Sequence, residues 1–192
     1  MATSTVYDSK NLKFCANAKL FISPTGTALP ATLGAEYPTP WVELGYIDEK
    51  GVQVDDARTL VDIKADQSIY TIAQLASEKK HTLTFNLQEW TPANFVFAFG
   101  GGSWATVTGI NTYTPPDPSF MDNRQISFEW SVAGIHWRWV VYKGIVTSNI
   151  QSSLVKTAEA LLPITFTALG TQSGQPWGVS NDDPEFTVST GS

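Results

Sequence analysis

The chain reads as a mainly β protein, a two-sheet β-sandwich or partial barrel with one short flanking α-helix. Three observations predict this. Residues 126–132 and 135–141 carry apolar side chains at every second position throughout. Roughly nine segments in all have strand character, punctuated by Gly, Pro, Asn and Asp. Only the stretch from Thr91 to Gly100 has both the start and the stop signals of a helix.

Residues 16–23 form the first strand, ended by Pro24-Thr25-Gly26. Next comes a Trp-anchored apolar run, Trp41-Val42-Glu43-Leu44-Gly45-Tyr46-Ile47, which leads into Asp48-Glu49-Lys50-Gly51. Residues 48–79 then read as a long polar connection. Strand character is thin there: Val52 and Val54, then weak candidates at 60–65 and 69–73. Residues 48–66 hold Asp48, Glu49, Asp55, Asp56, Asp62 and Asp66 against Lys50, Arg58 and Lys64. A polar connection this long in a compact domain is either functional or disordered alone, so something outside the chain is expected to order it.

Residues 81–89 alternate Leu83, Phe85 and Leu87 with Thr84, Asn86 and Gln88, the pattern of a half-buried strand. In the helix, Thr91 can cap, Pro92 suits the first turn, Phe95 and Phe99 lie four apart, and Gly100 can close the end in a left-handed conformation. Gly100-Gly101-Gly102-Ser103 reads as a loose helix exit, because a phosphate cradle precedes a helix rather than following one. Residues 105–110 are a weak strand, and 113–118, with Pro115-Pro116-Asp117-Pro118, an exposed loop.

The hairpin at 126–141 turns at Ala133-Gly134. A two-residue turn sets Trp130 opposite Trp137, Phe128 opposite Trp139 and Ile126 opposite Val141 on a core face, and pairs Glu129 with Arg138 on the other. Because tight hairpins favour Asn-Gly, or Gly first, a bulge is expected at this turn. Residues 143–150 are a weak strand, and 153–162 have helix propensity that the neighbouring strand signals outweigh in favour of an extended segment and loop. Residues 164–168 are a late strand with Pro163 at its entry, and 170–192 a Gly, Pro and Ser-rich arm. With no linker and no internal repeat, residues 1–192 are read as one domain.

A net charge of −6 and a pI near 4.8 argue against a surface that grips nucleic-acid phosphate. Cys15 is the single cysteine, which excludes an intrachain disulfide and is expected to be a buried, inert thiol. His81 and His136 fall on polar faces of predicted strands and are expected to be surface groups rather than catalysts. Asp55-Asp56 and Asp182-Asp183 are adjacent residues, which on an extended chain point to opposite faces and so cannot work as paired carboxylates. No cofactor, no metal and no catalytic residue is nominated. No apolar run approaches a membrane span and the start lacks a signal peptide, so a soluble product made in the cytosol is expected. Trp90, Trp104 and Trp177 leave one alternative, a monomeric carbohydrate-binding sandwich that stacks sugar rings on indole.

In their order along residues 14–170, the pieces resemble the tail tube (major tail) proteins of long, non-contractile-tailed bacteriophages. They are the strand ending in Pro24-Thr25-Gly26-Thr27, the segment from Trp41 into Gly51-Val52, the strand-to-helix junction Leu87-Gln88-Glu89-Trp90-Thr91-Pro92-Ala93-Asn94, and Leu162-Pro163-Ile164-Thr165-Phe166-Thr167-Ala168-Leu169. The resemblance implies a structural virion protein, made in the host bacterial cytoplasm. Six copies would close into a ring through an inner barrel, and rings would stack into a tube that conducts DNA during ejection without binding it specifically. It implies tape measure, tail terminator and tail tip proteins as partners, and no membrane insertion. The ring-bridging loop would fall on Asp48 to Asp66, within a 48–79 inter-ring region, and the arms on residues 1–13 and 170–192. A barrel of ~24 strands at about 4.8 Å spacing and about 40° tilt would leave a bore of roughly 35–40 Å, which passes a duplex. Six copies at −6 carry about −36 per ring, which repels phosphate and lets DNA slide.

Overall fold

The computed structural model describes residues 15, 17–67, 69–171 and 174–186. The arm expected at residues 1–13 lies outside them. Among the described residues ten strands and one helix are formed: β1 (Lys19–Pro24), β2 (Val42–Glu43), β3 (Gln53–Ile63), β4 (Ala73–Leu87), α1 (Pro92–Ala98), β5 (Ser103–Val107), β6 (Ile110–Thr114), β7 (Arg124–Val132), β8 (Ile135–Val146), β9 (Leu162–Ala168) and β10 (Trp177–Asn181). The architecture is mainly β, consistent with a β-sandwich, and no barrel closes among the described residues.

Seven strands run in the order β2-β1-β7-β8-β9-β4-β3, β10 adds to β8, and β5-β6 form a separate pair. β8 joins the two halves. One edge pairs with β7, while the other pairs with β10 over Trp137 to Val141 and with β9 from Gly144 onward. Gly144 sits at that change of partner, where a Cβ would lie 2.5 Å from both the Phe166 ring and the Thr167 carbonyl. Only a residue without a side chain lets the backbones meet there.

Alternation decides what the halves bury. Leu20, Ile22, Ile126, Phe128 and Val141 from β1, β7 and β8 face Leu83, Phe85, Leu87, Leu162, Ile164 and Phe166 from β4 and β9 in one core. The opposite face of β1-β7-β8 is buried as well, beneath the loop between β1 and β2. Tyr37 stacks on Phe21 at 3.9 Å between centroids and meets Trp41 edge-on at 5.0 Å. Its hydroxyl lies 2.6 Å from Ser127 Oγ and donates to Glu129 Oε1 at 2.8 Å. Arg138, 5% exposed, pairs through Nε with Glu129 and donates from Nη1 and Nη2 to the carbonyls of Pro30 and Thr32 at 2.7 and 3.0 Å. Burial pushes the Tyr37 phenol above its ordinary range, so it stays a donor.

The β7–β8 register sets Trp130 opposite Trp137, Phe128 opposite Trp139 and Glu129 opposite Arg138. Ala133 and Gly134 both take positive φ, 53° and 81°, which gives a tight two-residue turn. The expected bulge is therefore absent from the turn, and the register shift falls between Arg124 and Ile126. Trp130, Trp137 and Trp139 are only half-buried, with Trp130 and Trp139 packed against the margin of the core.

In α1, Thr91 Oγ1 accepts from the Asn94 amide at 3.1 Å, Pro92 opens the helix, and Gly100 follows at φ 69°. The helix uses two faces: Phe97 and Ala98 enter the core, while Phe95 and Phe99 pack against Trp104 and Tyr113 of the β5–β6 pair. The exit after α1 is tight rather than loose, since a Cβ on Gly102 would meet the Thr114 carbonyl at 2.6 Å.

Several expectations are corrected. Residues 105–110 are not one strand: Thr108 and Gly109 turn at positive φ and split them between β5 and β6, which also takes in Tyr113 and Thr114. The segment from Lys143 is the end of β8 and stops at Val146, whereas residues 153–161 form the extended segment and loop expected of them. The region beyond 170 contains β10, a strand docked on β8. Cys15 is exposed.

Candidate assembly surface

The connection expected over 48–79 is chiefly a β-hairpin arm. β3 pairs with β4 from Gln53↔Thr84 to Ile63↔Ala73, with a bulge after Thr59. Only the Thr82 to Leu87 portion of β4 also pairs with β9. From His81 outward the arm is therefore a two-stranded ribbon with both edges open. All of β3, and β4 from Ala73 to Lys80, is exposed.

A ribbon of two strands is marginal in water unless something covers it. The side chains on this one agree. Beyond the bulge, Val61 lies opposite Leu75 and Ile63 opposite Ala73 on one face, with Leu60 opposite Ala76 on the other. Leu60, Val61, Ile63 and Leu75 are 45–63% exposed, and at the tip Ile69 is 94%, Tyr70 75% and Ile72 60% exposed. An apolar group of this extent on one projecting element marks an interaction site.

The acids nominated from sequence are dispersed over this element. Asp48 is buried before the arm begins, and Glu49 is exposed beside it. Asp55 and Arg58 are exposed on opposite faces, and Asp66 is exposed at the tip. Asp56 holds the root: Oδ1 lies 3.3 Å from His81 Nδ1 and Oδ2 3.5 Å from Lys79 Nζ. Asp62 accepts from Gln74 Nε2 at 2.9 Å and from Thr71 Oγ1 at 3.3 Å. These last two maintain the arm itself. The residues that leave apolar area uncovered, Val61, Ile63, Ile69, Ile72 and Leu75, were not singled out.

His81 corrects the expectation of a surface histidine. It is 3% exposed, lying where β4 leaves the body. Trp139 Nε1 donates to its Nε2 at 3.3 Å, and Trp177 of β10 stacks on it with centroids 4.5 Å apart. Burial lowers its pKa despite the neighbouring Asp56 carboxylate. His136 is half-buried, with Nδ1 3.0 Å from Asp182 Oδ2.

Of the tryptophans weighed for sugar stacking, Trp177 is engaged with His81 and Trp139. Trp104 lies against Phe95 and Tyr113, and Trp90 donates Nε1–H to the Ala160 carbonyl at 2.6 Å. Among the described residues, no group of three or more His, Cys, Asp or Glu could hold a metal ion, and no helix is long and apolar enough to cross a membrane.

A β-sandwich that projects a two-stranded ribbon bearing a group of exposed apolar side chains belongs to the class of structural proteins that complete themselves in an assembly. The sequence profile of the family described as phage tail tube protein matches residues 5–190, and the chain belongs to that family. It is thus a structural component of a bacteriophage virion. No curated protein matches the chain.

Proposed function

We propose that six copies of this chain close into a ring and that rings stack into the tube of a long, non-contractile tail, through which DNA passes during ejection. The observation that carries the reading is the arm: a two-stranded ribbon with open edges and exposed Val61, Ile63, Ile69, Ile72 and Leu75 gains stability only by meeting another molecule. The arm bridges one ring to the next. The net charge of −6 per chain supports passage of DNA without specific binding. Tape measure, terminator and tip proteins set the length and the ends of the tube, and the chain is made in the bacterial cytoplasm before it enters the virion.

Sedimentation velocity of the purified protein across a concentration series tests ring formation. The reading predicts a species of six chains that gives way to larger particles. A series that ends at dimers would reject it.

A further inference from the structure

A cleft of about 1000 Å³ opens at the root of the arm, with Ala18, Ile47, Asp48, Val52, Phe128 and Trp130 in its lining. Asp48 is 7% exposed. Its Oδ2 accepts from Asn86 Nδ2 at 2.8 Å, whereas its Oδ1 is buried with no hydrogen-bond partner. A carboxylate oxygen removed from water without a donor is costly until a donor arrives. At the other end of the same arm stands the complementary feature. Lys64 is exposed and in no ion pair among the described residues, and it neighbours the exposed Ile69, Tyr70 and Ile72.

We propose that this cleft receives the arm tip of a second copy, with Lys64 donating to Asp48 Oδ1 and the apolar tip covering Phe128 and Trp130. The assignment rests on the reading that the arm bridges copies, and it adds the receptor. A copy's own tip cannot serve: β3 is paired throughout Gln53–Ile63, and eleven residues at about 3.3 Å each hold tip and root about 35 Å apart. Tip into root is a head-to-tail contact, which repeats along a line where its rotation does not close a ring, as a bridge between stacked rings requires. The repeat between successive copies follows from the arm and is about 35 Å.

Cys15 lines the cleft and is exposed, which supplies a native probe. Gln67→Cys places a second thiol at the exposed tip. Mild oxidation of assembled Q67C protein should produce a ladder of covalent oligomers on a non-reducing gel, because each copy offers both thiols. Q67C/C15S should give none beyond a dimer. If wild-type protein and Q67C both form tubes and the ladder is absent, the cleft is not the receptor and the arm-bridging reading survives. If wild-type protein forms no assembly, both fail. Should Q67C alone fail to assemble, D66C at the same tip carries the same test. Independently, K64E, at an exposed position, should leave the subunit folded and reduce assembly at least tenfold; undiminished assembly overturns the Lys64–Asp48 contact.

Discussion

The imidazole of His81 lies 4.5 Å from the Trp177 ring with the planes 13° apart, so the last strand is stacked on the root of the arm. The same imidazole donates through Nδ1 to Asp56 of β3 and accepts through Nε2 from Trp139 of β8. One side chain thus ties β3, β4, β8 and β10 together, and it does so as a neutral ring.

Stability should fall as the solution is acidified. Burial holds His81 below its ordinary pKa of 6.5, so the unfolded chain takes up a proton that the folded chain resists. The contribution is complete above about pH 6.5 and is lost as the pH drops toward the lower folded value. Denaturant midpoints between pH 7.5 and 5 measure it, and H81Q should flatten the dependence.

Arg138→Ala should destabilise the subunit by about 3–5 kcal/mol, since it strands the Glu129 carboxylate under the β1–β2 loop and removes the donors to Pro30 and Thr32. Tyr37→Phe removes one hydrogen-bonding group and should cost about 1 kcal/mol. Urea unfolding separates the two.

Trp137→Ala should cost about 2 kcal/mol, below the roughly 3–5 kcal/mol of a fully buried aromatic. The indole is half-buried, against Trp130 at 5.9 Å and Phe186 at 5.5 Å. A folded variant with a lowered midpoint is the expected result.

Replacing Val61, Ile63 and Leu75 together by Ser should leave subunit stability within about 0.5 kcal/mol per site while abolishing assembly, because these side chains are exposed before contact and covered after it. Reversing Asp56 should act differently: it breaks contacts to His81 and Lys79, so it loosens the root of the arm as well. Thermal melts beside sedimentation distinguish the two patterns.

The half-buried parts of the fold were legible in the sequence. Alternation in 126–141 specified the hairpin register down to the Glu129–Arg138 pair, and Thr91-Pro92 marked the helix start. The arm was not, for a physical reason: its strands are solvated on both faces in the subunit, so no core imposes a period of two. One signal did exist. Residues 52–91 contain neither Gly nor Pro, which is unusual for a long loop and ordinary for a hairpin. Acidic composition drew attention to Asp56 and Asp62, which serve the arm's own geometry, and away from Ile63, Ile69 and Ile72. His81 was misjudged because strand alternation places it opposite Asp56 but says nothing of Trp177, nearly a hundred residues away, closing over it.

The most direct test of the central claim is electron microscopy of concentrated wild-type protein beside a variant in which residues 58–79 are replaced by a two-residue turn. The account predicts stacked rings or tubes for the wild type, and for the shortened arm a folded subunit that forms no stacks. Equally long tubes from both proteins would contradict it.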